Sequence, residues 1–165
     1  MTLDDVSCLL HLPIDGMLLS HETITRVDAM DWMVTHSGSD PGETHVEVTR
    51  TKGAHCRFVY LKRIFKEHMK EQLALEIEHG VTQEVRRMRD QALNIYLLYL
   101  VGIMLFIDKS QNIVDAVYPR YFRDLDVVAD YSWGAATLAH LYRELNNVAR
   151  WNCGQVPGYL TLLQV

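Results

Sequence analysis

The feature that most constrains the fold of this chain is a run of thirteen apolar residues from Ile95 to Ile107. A transmembrane helix needs roughly 20 apolar residues, so a run of this length is typical of a helix buried in a protein core. With 165 residues, the chain is long enough to form one domain that buries roughly 70% of its unfolded surface around such a helix. We therefore expect a single domain over 1–165, with no part in a membrane.

Three long helices are predicted from capping residues and apolar stripes. Apolar residues at steps of three or four predict a helix from Phe58 to Ile77 that ends at Gly80. Thr82 is placed to cap the next helix, which continues through the apolar run. Ser132 is placed to cap a third helix, which opens with Trp133. The stripe of the first helix comprises Phe58, Leu61, Phe65, Met69, Leu73 and Ile77, and that of the third comprises Leu138, Leu141, Leu145 and Val148.

Three shorter helices are also predicted. The first follows Thr2 as a cap and runs to Leu10. The second covers about 24–34, where apolar residues recur at helical spacing. The third covers 113–125, with a kink or a start at Pro119. The stripe of the second helix comprises Val27, Met30 and Val34.

Two segments are predicted to be non-helical. Asp15 and Gly16 supply the positive φ angles that a two-residue turn needs, which indicates a small hairpin over 12–19. Residues 37–53 begin with a cluster of turn residues and are expected to be the most mobile part of the chain. The predicted fold class is therefore mainly α: an irregular multi-helix bundle with a small N-terminal β-hairpin and one disordered or turn-rich loop.

Gly102 lies inside the apolar run, where it costs the helix roughly 1 kcal/mol relative to alanine. Close approach by another helix is the expected compensation. The predicted partner is the cluster of small residues Gly134, Ala135, Ala136 and Ala139. We assign structural roles to Trp133, Gly134, Gly102, Asp15 and Gly16.

Charge is distributed unevenly along the chain, whose formal net charge is −5. Residues 57–90 carry eight of the sixteen Lys and Arg residues, together with six acids. If the two helices of this segment pack side by side, the basic side chains form a candidate nucleic-acid-binding face. The glutamates on the same helices argue against strong binding and favour a solvated helix surface. The candidate basic face comprises Lys62, Arg63, Lys66, Lys70, Arg86, Arg87 and Arg89, with Arg57 preceding them.

No set of residues predicts a catalytic, cofactor or metal site. Ser39 lies in a turn-rich stretch without the strand-to-helix frame of a nucleophile elbow, and no Gly-Lys-Ser/Thr phosphate loop is present. The three cysteines are few, odd in number and far apart, which favours free thiols in a reducing, intracellular compartment. The histidines and cysteines also lack the paired spacing of zinc ligands. The nearest candidates are Cys8 with His11, and His45 with His55 and Cys56.

Four segments of the chain, in this order and spacing, resemble one family across nearly the whole length. The segments are Leu12–Gly16, then Tyr96–Gly102 with Leu105-Phe106 and Asp108–Ser110, then Tyr131–Ala136 with Leu141–Leu145, and finally Gly158 with Leu162–Gln164. They are similar to the plant mobile domain, also called the aminotransferase-like plant mobile domain, of plant transposable elements and main-like proteins. In that family the last helix continues beyond the final segment. The resemblance therefore implies that 1–165 is a C-terminally truncated plant mobile domain.

The resemblance implies a nuclear, helical module for protein interaction, connected with transposable-element silencing, control of gene expression and meristem maintenance. It implies protein partners, among them a long-form plant Ser/Thr phosphatase. The alternative is a nucleic-acid-binding module derived from a transposable element. The label "aminotransferase-like" suggests pyridoxal phosphate, but the five lysines lie in polar loops or on charged helix turns, and none lies beside a Gly/Ser-rich phosphate cup. We therefore expect a non-enzymatic protein without a cofactor.

The polar side of the Trp133 helix is the candidate interaction surface. Arg143, Asn147 and Arg150 recur along that side at helical spacing, and His140 is predicted to share it. The leucine stripe of the helix is expected to face the core instead.

Overall fold

The computed structural model describes residues 2–20, 22–106 and 112–151 and is mainly helical, which confirms the predicted fold class. The predicted segments Asp108–Ser110, Gly158 and Leu162–Gln164, and the predicted truncation at Val165, lie outside the described residues. In chain order the elements are α1 (Leu3–Leu10), α2 (Arg26–Ser37), α3 (Pro41–Arg50), β1 (His55–Arg57), α4 (Phe58–His79), α5 (Gln83–Leu100), a π-helical turn (Val101–Leu105), β2 (Ile113–Asp115), two 3₁₀ helices (Tyr118–Phe122 and Leu125–Asp130) and α6 (Trp133–Trp151).

The helices α4 and α5 form an antiparallel pair at the centre of the domain. Gly80, with a φ of 71°, follows the last residue of α4, and the Thr82 side chain accepts a hydrogen bond from the Val85 N–H at the start of α5 (3.3 Å). Both helix ends are therefore confirmed. Leu61 of α4 and Ile95 of α5 are fully buried in the main hydrophobic core.

The predicted packing partner of Gly102 was wrong. A Cβ atom on Gly102 would lie 2.7 Å from Phe58 Cε1 and 2.7 Å from Val114 Cβ, so the close neighbours are an aromatic ring and a strand. Gly134 instead lies against the segment after α1, where its N–H donates to the Pro13 carbonyl oxygen (2.8 Å). Gly102 and Gly134, which were predicted to pack near each other, therefore contact different parts of the chain.

The predicted hairpin over 12–19 was also wrong in position. The small antiparallel sheet pairs β1 with β2, and Cys56 lies opposite Val114. Asp15 and Gly16 form a bend, and Gly16 has a φ of 117°. A side chain at Gly16 would collide with the Asp130 carbonyl oxygen, so the positive φ serves a close approach between two distant segments rather than a hairpin turn.

The segment 37–53 contains a regular helix, α3, where a mobile loop was predicted. Asp40 caps this helix by accepting a hydrogen bond from the Glu43 N–H (2.9 Å), and Pro41 occupies its first turn. Proline and aspartate are common both in turns and at the first residues of helices. From the sequence they were predicted to form a turn-rich loop, whereas they begin a helix. Val48, which is 1% exposed, anchors α3 to the rest of the domain.

Two further helix predictions need correction. The segment predicted as a helix over 113–125 consists of β2 and a 3₁₀ helix, with Pro119 in the first turn of the latter. In α2 the buried residues are Ala29, Met33 and Ser37. Val27, the first residue of the predicted stripe, is 74% exposed.

Trp133 lies in an aromatic cluster at the start of α6. Its ring stacks on Phe122 with centroids 5.7 Å apart, and its Nε1–H donates to the Val128 carbonyl oxygen (2.8 Å). The preceding Ser132 donates its hydroxyl to the Met17 carbonyl oxygen (3.1 Å). Across the described ranges, no helix has both the length and the apolar character needed to cross a membrane.

Candidate protein-docking face on the α4–α5 helix pair

The predicted apolar stripe of α4 winds out of the core. Each step of four residues turns the helix about 40° beyond a full turn, so a stripe built on such steps drifts around the helix axis. Met69, Leu73 and Ile77 are consequently 42%, 57% and 78% exposed. The buried side of this half of α4 is formed instead by two polar residues, His68 and Gln72. The first half of the predicted stripe lies in or against the core, whereas its second half was wrong as a prediction of the core and forms an exposed apolar surface.

Two contacts show which side of the helix pair this surface occupies. The rings of Phe65 and Tyr96 lie with centroids 5.9 Å apart, and Arg89 Nη2 lies 2.6 Å from Glu76 Oε1. Because α4 and α5 are antiparallel, the segment between these contacts carries Met69 and Leu73 on one helix and Leu93 on the other. We call this surface the docking face; it comprises Lys62, Phe65, Lys66, Met69, Lys70, Leu73, Leu93 and Tyr96.

An apolar cavity of about 190 Å³ opens at one end of the docking face. The aromatic rings of Phe65, Tyr96 and Tyr99 line it, together with Lys62 and Lys66. Such a concave site with aromatic walls and few polar groups can hold a bulky apolar side chain of a partner.

The arginines and lysines of the predicted basic face differ in their ion pairing. Arg63 pairs with Glu43 and Glu67, at 2.6 and 3.0 Å. Arg87 pairs with Glu84 at 2.7 Å, and Arg89 reaches Glu76 of the facing helix. Within the described ranges, the residues of the predicted face without an ion pair are Lys62, Lys66, Lys70 and Arg86.

The three lysines follow each other at four-residue spacing along α4 and flank the exposed apolar residues. Their positive charges remain available to a partner, whereas Arg63, Arg87 and Arg89 are paired with glutamates of the domain. The structure therefore replaces a uniform basic face with a mixed lysine and apolar face.

A polar cleft of about 550 Å³ lies between α3 and the start of α4, and the sequence reasoning did not find it. Glu47, only 3% exposed, accepts hydrogen bonds from the Arg57 backbone N–H (2.8 Å) and from its Nε–H (2.9 Å). The hydrogen bond to Glu47 raises the pKa of the Arg57 guanidinium. One signal was available: Glu47 lies one turn after Thr44 and beside Val48, on the apolar side of a helix that was predicted as a loop.

The polar cleft does not present a free acid–base pair. Both glutamates that line it are held by arginines, Glu47 by Arg57 and Glu43 by Arg63. Burial raises the pKa of the Tyr60 hydroxyl, which lies 3.1 Å from Thr44 Oγ1, so Tyr60 stays protonated near neutral pH. These groups stabilise the junction of α3, β1 and α4, and their arrangement does not provide a general base.

The candidate interaction surface on α6 is only partly described. Arg143 is exposed and its Nε–H donates to Glu144 Oε1 (3.1 Å), and Asn147 is exposed one turn later. The side chain of Arg150 lies outside the described residues. His140, predicted on the same polar side, lies 2.9 Å from Arg143 Nη2 through its Nδ1 but is buried against the Phe106 ring, with centroids 5.4 Å apart, and so is not exposed.

The described part of the chain is thus a helical domain with an exposed lysine and apolar docking face. Its residues contain no group of three or more His, Cys, Asp or Glu side chains placed to hold a metal ion. Cys56 is fully buried, and burial raises the pKa of its thiol to about 12, so this cysteine is an inert core residue.

The chain belongs to the plant mobile domain family, whose model matches residues 1–165. It is 32% identical over 164 residues to Protein MAIN-LIKE 1 of Arabidopsis thaliana, covering 99% of this chain and 29% of that protein. It is 28% identical over 170 residues to Protein MAINTENANCE OF MERISTEMS of the same plant, covering 99% of this chain and 30% of that protein.

A third relative from Arabidopsis thaliana is a Serine/threonine-protein phosphatase 7 long form homolog, 29% identical over 165 residues, of which the alignment covers 11%. The chain therefore spans less than a third of the length of each of these three relatives. No solved structure matches the chain significantly.

Proposed function

We propose that this plant mobile domain is a non-enzymatic protein-interaction module that acts in the nucleus. Its role would lie in transposable-element silencing, control of gene expression and meristem maintenance, as the family resemblance and the names of its relatives suggest. The observation that carries the proposal is the docking face, where apolar side chains of two helices are exposed side by side. Clustered exposed apolar residues are typical of protein-interaction sites.

Two further features support a protein partner. The glutamates that line the polar cleft are paired with arginines, and its third carboxylate, Asp40, caps α3. A relative carries a long-form phosphatase name, so a long-form plant Ser/Thr phosphatase is a candidate partner. Arg143, Asn147 and Arg150 remain a second candidate contact surface on α6.

The proposal can be tested by recovering partners of the tagged full chain from plant nuclei and quantifying them by mass spectrometry. Leu73→Asp combined with Leu93→Asp places charge on the docking face, and we expect the recovery of specific partners to fall at least tenfold. Val27→Asp is the matched control, because Val27 is also an exposed apolar residue but lies on α2. Equal recovery with all three proteins would contradict a docking role for this face.

The phosphatase is tested separately with the purified long-form enzyme. Binding to the wild-type chain that weakens in the Leu73→Asp, Leu93→Asp variant would identify it as a partner of the docking face. No association at micromolar concentrations would exclude it as a direct partner.

The second candidate function is nucleic-acid binding, which the unpaired lysines favour. Lys62 and Lys66 line the same cavity as the exposed Tyr96 ring, and lysines beside an aromatic ring can bind single strands. The alternative predicts measurable affinity for a fluorescent oligonucleotide that falls steeply as salt rises. Absence of binding at 50 mM salt, measured by fluorescence anisotropy, would remove it.

A further inference from the structure

We propose that the docking face binds an acidic, amphipathic α-helix of a partner protein. This inference rests on the proposed interaction function and specifies the chemistry of the partner. The argument uses three properties of the face: its shape, its apolar residues and its unpaired lysines.

The shape of the face favours a helix as the occupant. The antiparallel helices α4 and α5 pack side by side, so their rounded surfaces leave a shallow groove between them; α4 exposes Met69 and Leu73, and α5 exposes Leu93. An amphipathic helix can lie in such a groove and place apolar residues one turn apart against it. At one end of the groove the 190 Å³ cavity offers a deeper pocket.

The cavity can receive one anchoring side chain of that helix. Apolar cavities of about 150 Å³ bind benzene, so a cavity of about 190 Å³ can take a phenyl ring or a leucine side chain. Its walls are the rings of Phe65, Tyr96 and Tyr99, which favour an apolar or aromatic group.

The unpaired lysines determine the charge of the occupant. Lys62, Lys66 and Lys70 lie along α4 about 6 Å apart per step, which matches carboxylates at one-turn spacing on a second helix. On the facing helix the guanidinium of Arg89 is already compensated by Glu76. A partner helix with Glu or Asp along one edge and apolar residues along the other therefore satisfies both halves of the face.

An extended polyanion fits this face less well than a short acidic helix. The chain has a net charge of −5, and the exposed Glu67 and Glu71 follow directly on α4. A membrane surface or a nucleic acid would meet these repelling charges over a wide area, whereas a single helix interacts only within the groove. The concave aromatic cavity is likewise suited to one inserted side chain and not to a flat surface.

The test is a selection of binders for the full chain from a phage-displayed library of random 18-residue peptides. Peptides that also bind the Leu73→Asp, Leu93→Asp variant are removed. We expect the remaining peptides to carry a net negative charge and to have apolar residues at helical spacing. A selected set that is neutral, basic or without helical periodicity would overturn the proposal.

Charge reversal supplies the second part of the test. Lys62→Glu, Lys66→Glu and Lys70→Glu together should weaken binding of a selected synthetic peptide at least tenfold, and exchanging the acidic residues of the peptide for lysine should restore it. The three lysines are exposed, so the variant should fold, and circular dichroism checks this. Loss of binding without restoration by the lysine peptide would contradict recognition by charge.

Further measurements separate the possible failures. Binding of the full chain to phosphatidylserine vesicles, in place of any acidic peptide, would show that the face meets a membrane and would overturn the proposal. If partner recovery from nuclei depends on Leu73 and Leu93 but no acidic helix is selected, the interaction function stands and the helix proposal fails. If recovery does not depend on these residues, the proposed function fails at this face.

Discussion

Replacing Gly102 by alanine should destabilise the domain, although alanine is favoured over glycine in an ordinary helix. In the interior of a solvent-exposed helix, replacing glycine by alanine stabilises the helix by roughly 1 kcal/mol. At Gly102 the new Cβ would lie 2.7 Å from Phe58 Cε1 and 2.7 Å from Val114 Cβ, where carbon atoms pack best at about 3.5–4.0 Å. The sign of the effect therefore depends on whether these neighbours can move.

The geometry favours a net loss of stability. Val114 Cβ is attached directly to the backbone of β2, which is paired with β1, so it cannot rotate away. The Phe58 ring is in edge contact with Tyr99, with centroids 5.7 Å apart, which limits its movement. Overpacking of this kind costs about 1–3 kcal/mol, so after a gain of about 1 kcal/mol in helix propensity we expect a net loss of up to about 2 kcal/mol.

Urea unfolding of the full chain, followed by circular dichroism, measures this difference. A loss of this size also lowers the melting temperature by up to about 8 °C for a domain of this length. Val114→Ala tests the cause, because it removes the methyl group that would lie 2.8 Å from the new Cβ. In that background the cost of Gly102→Ala should be smaller by at least about 0.5 kcal/mol. A Gly102→Ala variant that is more stable than the wild type would refute the packing argument, and costs that simply add would show that the Val114 methyl group does not contribute to it.

Three other predictions follow from local contacts. Trp133→Ala should lower the free energy of unfolding by about 3–5 kcal/mol, measured by urea titration, because a buried and stacked indole is lost; equal stability would show that the ring does not hold the core. Asp40→Ala should cost about 1 kcal/mol and speed hydrogen exchange at the Glu43 amide, and unchanged exchange would contradict the cap. At pH 8 a maleimide should modify the exposed Cys8 and spare Cys56, whose raised pKa and burial keep it protonated; rapid labelling of Cys56 in peptide mass maps would contradict this.

Local signals in the sequence were sufficient to predict where the long helices begin and end. The boundary between α4 and α5 follows from Gly80 and Thr82, because a cap depends on atoms within a few residues of it. The start of α6 directly after Ser132 follows in the same way. The helical class of the domain and its central helix pair could therefore be predicted from the sequence.

The sheet and the environment of Gly102 could not be predicted in this way. Cys56 pairs with Val114 across the whole length of α4 and α5, and three-residue strands carry too little alternation to be recognised. The close contact between Gly102 and Val114 results from this strand pairing. The packing partner of Gly102 therefore could not be predicted from the sequence either. A glycine in a helix indicates that something comes close but does not indicate which element does so.

At the candidate site, too, the sequence shows which residues are present but not which of them form ion pairs in the folded domain. The sequence contains eight basic residues between 57 and 90, but their charges act on a partner only where no carboxylate within the domain compensates them. Arg57, Arg63, Arg87 and Arg89 are compensated, which leaves four basic residues available. Even if all four contacted phosphates, the slope of log affinity against log salt would be only about −3 to −4, typical of weak and nonspecific binding.

The lysines would contribute to a higher affinity with a partner that also covers Met69, Leu73 and the aromatic cavity, because burial of apolar surface adds to the charge interaction. The pairing of the arginines thus supports our proposal that this surface binds a protein and not a nucleic acid.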